Sequence, residues 1–394
     1  MNLHKILEKI KLNLIFNNSD VYCTVSGLKS IFISIVGLLC TLILLCTISG
    51  CISPDNPQSQ VLSPISENFS ITVTDTFGNS IKLPNPVKRI ICQNGLSAEI
   101  IVAIGAGDRI VGVTDTALKE KYLMSRIPQA KSIGEIRNPD LERIISLHPD
   151  VFIAYGDSGS IPGNIDKIIA ANITVLYVKI YDIRDIPNET RVLGTLTGHE
   201  KQAEQFIQFI GAYNSIIKDR VKNISQNERK RVYLEQIVDY MVTHRDSPGD
   251  YYINSIHAEN IAGNITQPYA IVGPEWVIDQ DPDIIIKQVT KGENISDVRN
   301  EIINRSGFFR TNAVKNNRVY ALSSGMLSGP RQIVGMLYIA KAIYPERFED
   351  LSPEDVLSDY ATKFMPGSET TGFFDPVLGI SNKIPVSQHQ DYRS

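Results

Sequence analysis

The chain has 394 residues, 43% hydrophobic and 21% charged, which is enough for two globular domains with cores of their own. A formal net charge of -4, a pI near 5.9 and the lack of a dense Lys/Arg run in the body give no electrostatic footprint for nucleic acid, which is excluded as a partner.

Residues 1–30 carry Lys5, Lys9, Lys11 and Lys29, and residues 31–49 then run for 19 positions without a charge. As a helix that run spans about 28 Å, enough to cross a hydrocarbon core. No basic residue follows until Lys82, so the positive-inside rule keeps 1–30 in the cytoplasm and exports the remainder. The run ends in Ile48-Ser49-Gly50-Cys51, which resembles a lipobox; Cys51 would then carry the lipid after cleavage. The alternative is an uncleaved anchor over 31–49, and either reading tethers the body to the extracytoplasmic face of the membrane. Segment 31–51 is thus a signal or anchor, and 52–70, rich in Pro, Ser, Asn and Gln, is a flexible stalk. Beyond the anchor only Cys92 remains, so the body can form no internal disulfide. Its place in Arg89-Ile90-Ile91-Cys92 predicts a small buried hydrophobe in a strand.

In the body, 71–83 alternates apolar and polar residues around Phe77-Gly78-Asn79, a hairpin pattern. Strand and helix then alternate: strand 89–92, helix 98–106 closed by Gly107, strand 109–113, helix 141–147, strand 151–155, helix 165–171 and strand 175–178. The texture returns with strand 232–235, helix 253–262, strand 284–287 and strand 319–322. Between these runs, 200–222 places Ala203, Phe206, Ile207, Ile210, Tyr213, Ile217 and Val221 at helical spacing, predicting one long helix of about 35 Å. The expected fold is α/β: two Rossmann-like lobes, each a mainly parallel sheet with flanking helices, joined by one long helix. The expected boundaries are 71–185 for the first lobe, 186–230 for the connecting helices, 231–365 for the second lobe and 366–394 for a poorly ordered tail. A single helical connection predicts small motion between the lobes.

An internal repeat ties the halves together. Leu141-Glu142-Arg143-Ile144-Ile145-Ser146-Leu147-His148-Pro149-Asp150 and its following strand align, at one constant offset, with Pro274-Glu275-Trp276-Val277-Ile278-Asp279-Gln280-Asp281-Pro282-Asp283 and its strand. Each copy reads as a short amphipathic helix opening with Glu, a Pro-Asp turn that ends it, and an apolar strand. Two carboxylates on corresponding helices suit two symmetry-related basic pockets on a partner, although a helix-start Glu is also favoured by the helix dipole alone.

From Ile71 to Pro345 the chain resembles the periplasmic-binding-protein domain of the iron-siderophore, heme and vitamin B12 importer family. The resemblance rests on Ile71-Thr72-Val73-Thr74-Asp75 with Gly78, Arg89-Ile90-Ile91, Ala98-Glu99-Ile100 running to Gly105-Ala106-Gly107, Ile110-Val111-Gly112-Val113, and the first copy of the repeat, with Ser328-Gly329-Pro330-Arg331 near the end. It implies a monomeric solute-binding protein of an ABC importer, with Glu142 and Glu275 docking the transmembrane permease. It implies no cofactor; the cargo would itself bear the metal, as an iron complex (siderophore or heme) or a corrinoid. A molybdate, tungstate or other oxyanion is the alternative. Open α/β sheets bind ligands beyond the carboxyl ends of their strands, which marks Asn94, Tyr155, Tyr240, His244, Arg245, Tyr252 and Arg331 as ligand-binding candidates. No direct metal site is expected unless His244 supplies an axial ligand. A surface enzyme or structural surface domain is the remaining alternative, but no Gly-x-Ser-x-Gly, His-Glu-x-x-His or phosphate loop is present, so no catalytic residue is expected.

Overall fold

The computed structural model describes residues 70–157, 159–290 and 293–367. The expected anchor, Cys51, the stalk up to residue 69 and the tail from residue 368 lie outside the described residues.

The first alternating stretch forms an antiparallel hairpin of Ser70–Thr74 (β1) and Ser80–Pro84 (β2), with Ile71 opposite Leu83 and Val73 opposite Ile81. Asp75 closes its turn: the backbone amides of Phe77 and Asn79 donate to its carboxylate at 2.9 and 2.8 Å, and Gly78 takes a φ of 83°. The loop seats on the first sheet, where Thr76 donates its amide to Tyr177 O at 3.1 Å.

That sheet is wholly parallel. It comprises Ile90–Cys92 (β3), Ile110–Val113 (β4), Lys131–Ser132 (β5), Val151–Tyr155 (β6) and Val175–Val178 (β7), in the order β5-β4-β3-β6-β7. The second sheet is also parallel, with Arg231–Glu235 (β8), Glu259–Asn260 (β9), Ile284–Val289 (β10) and Val319–Ser323 (β11) in the order β11-β10-β8-β9. Parallel strands covered on both faces require near-continuous apolar runs, and Ile90, Ile91, Val151, Phe152, Ile153, Ile284, Ile285 and Ile286 all have zero exposure.

Two helices differ from their expected extents. The first spans Gly95–Ala103, because Asn94 caps it by accepting the Ser97 amide at 2.8 Å and Gly105, at φ 88°, ends it. In the second lobe the helix is Pro248–Ser255, capped by Ser247, and not 253–262. His257 turns left-handed at φ 57°, after which Glu259–Asn260 peels off as an edge strand on β8.

The repeat has a physical basis in the structure. In each copy the residue before the proline leaves the right-handed helical region, which a following proline disfavours, and takes a positive φ, 45° at His148 and 41° at Asp281. The next Asp then clasps the first strand of its sheet: Asp150 accepts the amides of Lys88 and Arg89 at 2.7 and 2.8 Å, and Asp283 accepts that of Arg231 at 2.9 Å. The arginine there reaches back to the end of the helix, with Arg89 donating to Leu147 O and Arg231 donating to Gln280 O. The same lock of helix, turn and strand is therefore built twice.

Glu200–Val221 is one helix of 22 residues, about 33 Å long. Its buried Phe206 and Phe209 meet Phe364 of the Pro353–Phe364 helix edge-on at 5.1 and 5.2 Å. One buried apolar cluster runs from Ile90 and Val151 of the first sheet through Phe206 and Ile217 to Val232 and Ile284 of the second. A second connection, unforeseen from the sequence, joins the lobes. Tyr360, near the chain's end, donates to Glu99 of the first lobe at 2.8 Å, and Arg331 pairs with the same carboxylate at 3.1 Å.

Candidate functional site

The carboxyl ends of the strands in both sheets open into a cleft of about 790 Å³. Gln93, at the end of β3, organises its first wall: its side-chain amide donates to Ile136 O at 2.9 Å and Ser160 O at 2.8 Å, while its oxygen accepts the Tyr155 amide at 2.8 Å. Three cleft-lining segments are thereby fixed by one buried side chain. The loop after β7 supplies Lys179, Tyr181, Asp182, Arg184 and Asp185, and the second lobe supplies Gln236, His244, Asp246, Tyr252, Tyr269 and Gln288.

Four tyrosines line the cleft. Burial pushes the Tyr155 phenol up, with the neighbouring Tyr181 and Asp157 adding to the effect; Tyr181 is raised by burial and then by Tyr269 and Asp157. These phenols stay protonated at neutral pH and act as donors. Tyr252 is 1% exposed, its hydroxyl 2.7 Å from Gln332 Oε1, and it forms part of the floor.

Charge in the cleft is nearly balanced. Four carboxylates, Asp157, Asp182, Asp185 and Asp246, face three permanent cations, Arg137, Lys179 and Arg184. Arg184 donates to both Asp182 oxygens, at 3.0 and 2.9 Å, and Lys179 lies 4.0 Å from Asp157. Arg184 also crosses to the second lobe, donating to Asp246 O at 3.2 Å and lying over the Tyr251 ring at 5.2 Å.

Of the sequence candidates, Tyr155, His244 and Tyr252 come together in this cleft, and His244 Nδ1 has no hydrogen-bond partner among the described residues. The other four stand elsewhere. Asn94 is 2% exposed and is committed to capping its helix. Tyr240 is half-buried, packing against the second lobe's core beneath the Arg305 guanidinium at 4.5 Å. Arg245 turns to a separate polar hollow, donating to Gly263 O at 2.7 Å and Asn264 Oδ1 at 3.1 Å. Arg331 is 7% exposed, pairs with Glu99 and donates to the Tyr122 hydroxyl at 2.9 Å; burial opposes its charge, and Glu99 together with Tyr122, Tyr360 and Glu120 more than offsets that. Arg331 is therefore an interlobe fastener and does not line the cleft.

Sequence reasoning missed the loop after β7 and Tyr269. The first follows from the same rule of strand carboxyl ends, applied to one more strand. Tyr269 lies in an irregular loop with no periodicity to mark it. Cys92 lies within β3 at zero exposure, and burial pushes its thiol up to about 12, which leaves no reactive thiolate. Glu142 and Glu275 are both exposed on the first turns of their helices, Leu141–Ser146 and Pro274–Gln280.

Two parallel-sheet lobes about a polar, tyrosine-lined cleft, fastened by a long helix, define a solute-binding protein. The family model described as periplasmic binding protein matches residues 90–325, and the chain belongs to that family. It is 30% identical over 311 residues to an uncharacterised ABC transporter substrate-binding lipoprotein of Bacillus subtilis, covering 77% of this chain and 95% of the other. A vitamin B12-binding protein of Vibrio parahaemolyticus is 23% identical over 261 residues, 64% of this chain and 88% of that one. Among solved structures, the molybdate-binding protein of Haemophilus influenzae, bound to molybdate, superposes with a TM-score of 0.62 at 19% identity, covering 76% of this chain and 99% of that one. The family is one of solute-binding proteins that work with a membrane permease, and this chain is the substrate-binding component of an ABC importer.

Proposed function

We propose that the importer's solute is a bulky metal chelate, a corrinoid or a ferric siderophore, and that a small oxyanion is not its cargo. The observation that carries this is the size and lining of the cleft. An oxyanion of five heavy atoms displaces roughly two to three water volumes, about 60–90 Å³ at ~30 Å³ per water. The cleft, at about 790 Å³, is many times larger and falls in the range that suits a polycyclic or macrocyclic ligand. Tyrosine faces supply contact area, and the near balance of charge suits a neutral or weakly cationic chelate better than the propionates of heme. The similarity to a vitamin B12-binding protein supports the same direction, and His244, on the cleft lining, offers an imidazole to a metal with an open axial position. In this reading Glu142 and Glu275 engage the permease, and Cys51 or the 31–49 segment holds the body at the extracytoplasmic face of the membrane as a monomer.

Titration calorimetry of the chain with cobinamide, a neutral ferric siderophore, heme and molybdate tests the reading. The expected result is binding of cobinamide or the siderophore, weakened about tenfold or more by Tyr155→Ala, since a buried ring contributes more than 1 kcal/mol. Molybdate as the tightest of the four would overturn it.

A further inference from the structure

The second lobe presents an apolar surface that the cleft does not use. Ile237 and Val238 are 47% and 49% exposed at the apex of the turn after β8, and Ile271 is 63% exposed on the strand-like segment beside it. None of the three lines the cleft, although their neighbours Gln236 and Tyr269 do. They therefore adjoin the cleft without lining it.

This turn is held rigidly. Met241 donates its amide to Val238 O at 3.1 Å, and Gln236 donates to Met241 O at 2.8 Å. Beneath it lies a partly buried charge network, in which Glu235, Lys287 and Arg305 are shielded and Asp239 reaches the surface. Lys287 Nζ donates to Ile237 O at 2.9 Å and pairs with Asp239 at 2.8 Å and Glu235 at 2.7 Å; Arg305 pairs with Glu235 at 2.7 Å and with Asp239 at 3.0 Å. Glu235 has zero exposure, and among the described residues its charge is compensated by these two cations and the Tyr233 hydroxyl at 2.9 Å. Such a network costs desolvation, and what it fixes here is the backbone of an exposed aliphatic pair. Pre-ordering apolar groups lowers the entropy lost when a partner covers them.

The turn adjoins the second docking helix. Tyr240 O accepts the Val272 amide at 3.0 Å, Val242 donates to Ala270 O at 2.9 Å, and the Pro274–Gln280 helix that carries Glu275 starts two residues after Val272. The first lobe repeats the pairing on a smaller scale, because Ile145, 44% exposed, lies one helical turn from Glu142.

We propose that Ile237, Val238 and Ile271 form an apolar contact for the transmembrane permease beside Glu275, so that docking is fixed by buried aliphatic area as well as by charge. The inference rests on the docking reading of the two glutamates. The permease is the occupant these observations favour: the patch adjoins the rim through which the cleft must discharge, lies outside the cleft lining and continues into the segment that carries Glu275.

The test uses the full chain and its permease in lipid nanodiscs, with docking measured by interferometry and cobinamide binding measured separately. Ile237→Asn with Val238→Asn should weaken docking about tenfold or more, the usual cost of losing central apolar contacts, and leave cobinamide affinity unchanged. Unchanged docking overturns the proposal. So does a loss of cobinamide affinity, which would assign the rim to the solute, or a dimer by light scattering that the double variant abolishes, which would assign it to a second copy. The parallel variant Glu142→Arg with Glu275→Arg separates the two claims. If it docks normally while the apolar variant does not, the glutamate reading fails and the apolar contact stands; the converse leaves charge alone as the docking device.

Discussion

Glu189 is 2% exposed in the Ile186–Thr197 helix, directly after the cleft residue Asp185. Burial raises its carboxyl from 4.5 to about 7; hydrogen bonds from the Lys179 backbone and the Thr76 side chain resist this, and Asp185 and Asp75 add to it. Its Oε2 has no partner among the described residues. Below about pH 4.5 the group is protonated in both folded and unfolded chains and contributes nothing to the pH dependence. Between about 4.5 and 7 the unfolded chain releases the proton while the folded one keeps it, so stability falls as pH rises through that window. The full loss above pH 7 is on the order of 3 kcal/mol at 1.36 kcal/mol per pKa unit. Glu189→Gln keeps the shape and the hydrogen-bonding groups without the charge. Urea unfolding of both proteins from pH 4.5 to 8 should show near-equal stability at the acid end and a variant advantage on the order of 2–3 kcal/mol at pH 8. A difference that does not change with pH, or a wild type more stable at pH 8, would refute the assignment of the buried, proton-retaining carboxyl.

Arg331→Ala leaves Glu99 buried without its guanidinium and should cost about 3–5 kcal/mol in urea unfolding, whereas Glu99→Leu with Arg331→Met should recover most of that loss. Lost solute affinity in a variant of normal stability would return Arg331 to the ligand site. Arg184→Ala removes the bridge to Asp246 O and the contact with the Tyr251 ring. Amide hydrogen exchange should quicken in 181–185 and around Asp246 while global stability changes by less than about 1 kcal/mol, as expected of an exposed pair. Unchanged exchange there would show that the lobes are held without it.

Where one local signal decided an element, the sequence was sufficient. The strands at Val151–Tyr155 and Val175–Val178 are apolar runs bounded by turns, and the repeat was legible because its Pro-Asp turn leaves little conformational choice. The helix at Pro248–Ser255 was misplaced because apolar residues at 253, 256, 258 and 261 mimic helical spacing, while a left-handed His257 and pairing of Glu259–Asn260 with β8 settle the outcome through tertiary contacts. Site residues were harder to read. A residue after a strand end can enter the cleft, as Tyr155 does, or turn away against the core, as Tyr240 does under Arg305, and only the packed partner decides which. Arg331 was misread for a related reason: its ion pair joins positions more than two hundred residues apart, and no local pattern records Glu99 as its partner.

Relatives that share this fold carry names as different as molybdate-binding and vitamin B12-binding, so the choice of solute has to lie in side chains and not in architecture. In this cleft the cations are largely spoken for. Arg184 is held by Asp182, and Lys179 stands near Asp157, which leaves Arg137 as the one permanent cation of the lining without an ion pair among the described residues. A doubly charged oxyanion would have to give up its hydration shell beside four carboxylates for a single exposed guanidinium, a poor exchange in a site of mixed charge. A ligand with an amide periphery faces no such conflict. Its N–H groups can donate to Asp157, Asp185 and Asp246, its carbonyls can accept from the phenols of Tyr155, Tyr181 and Tyr269, and its apolar core can lie against their rings. The same alternation of donors and acceptors that would repel a bare anion is what a large neutral chelate needs, and it is on this basis that cobinamide should outcompete molybdate for the cleft.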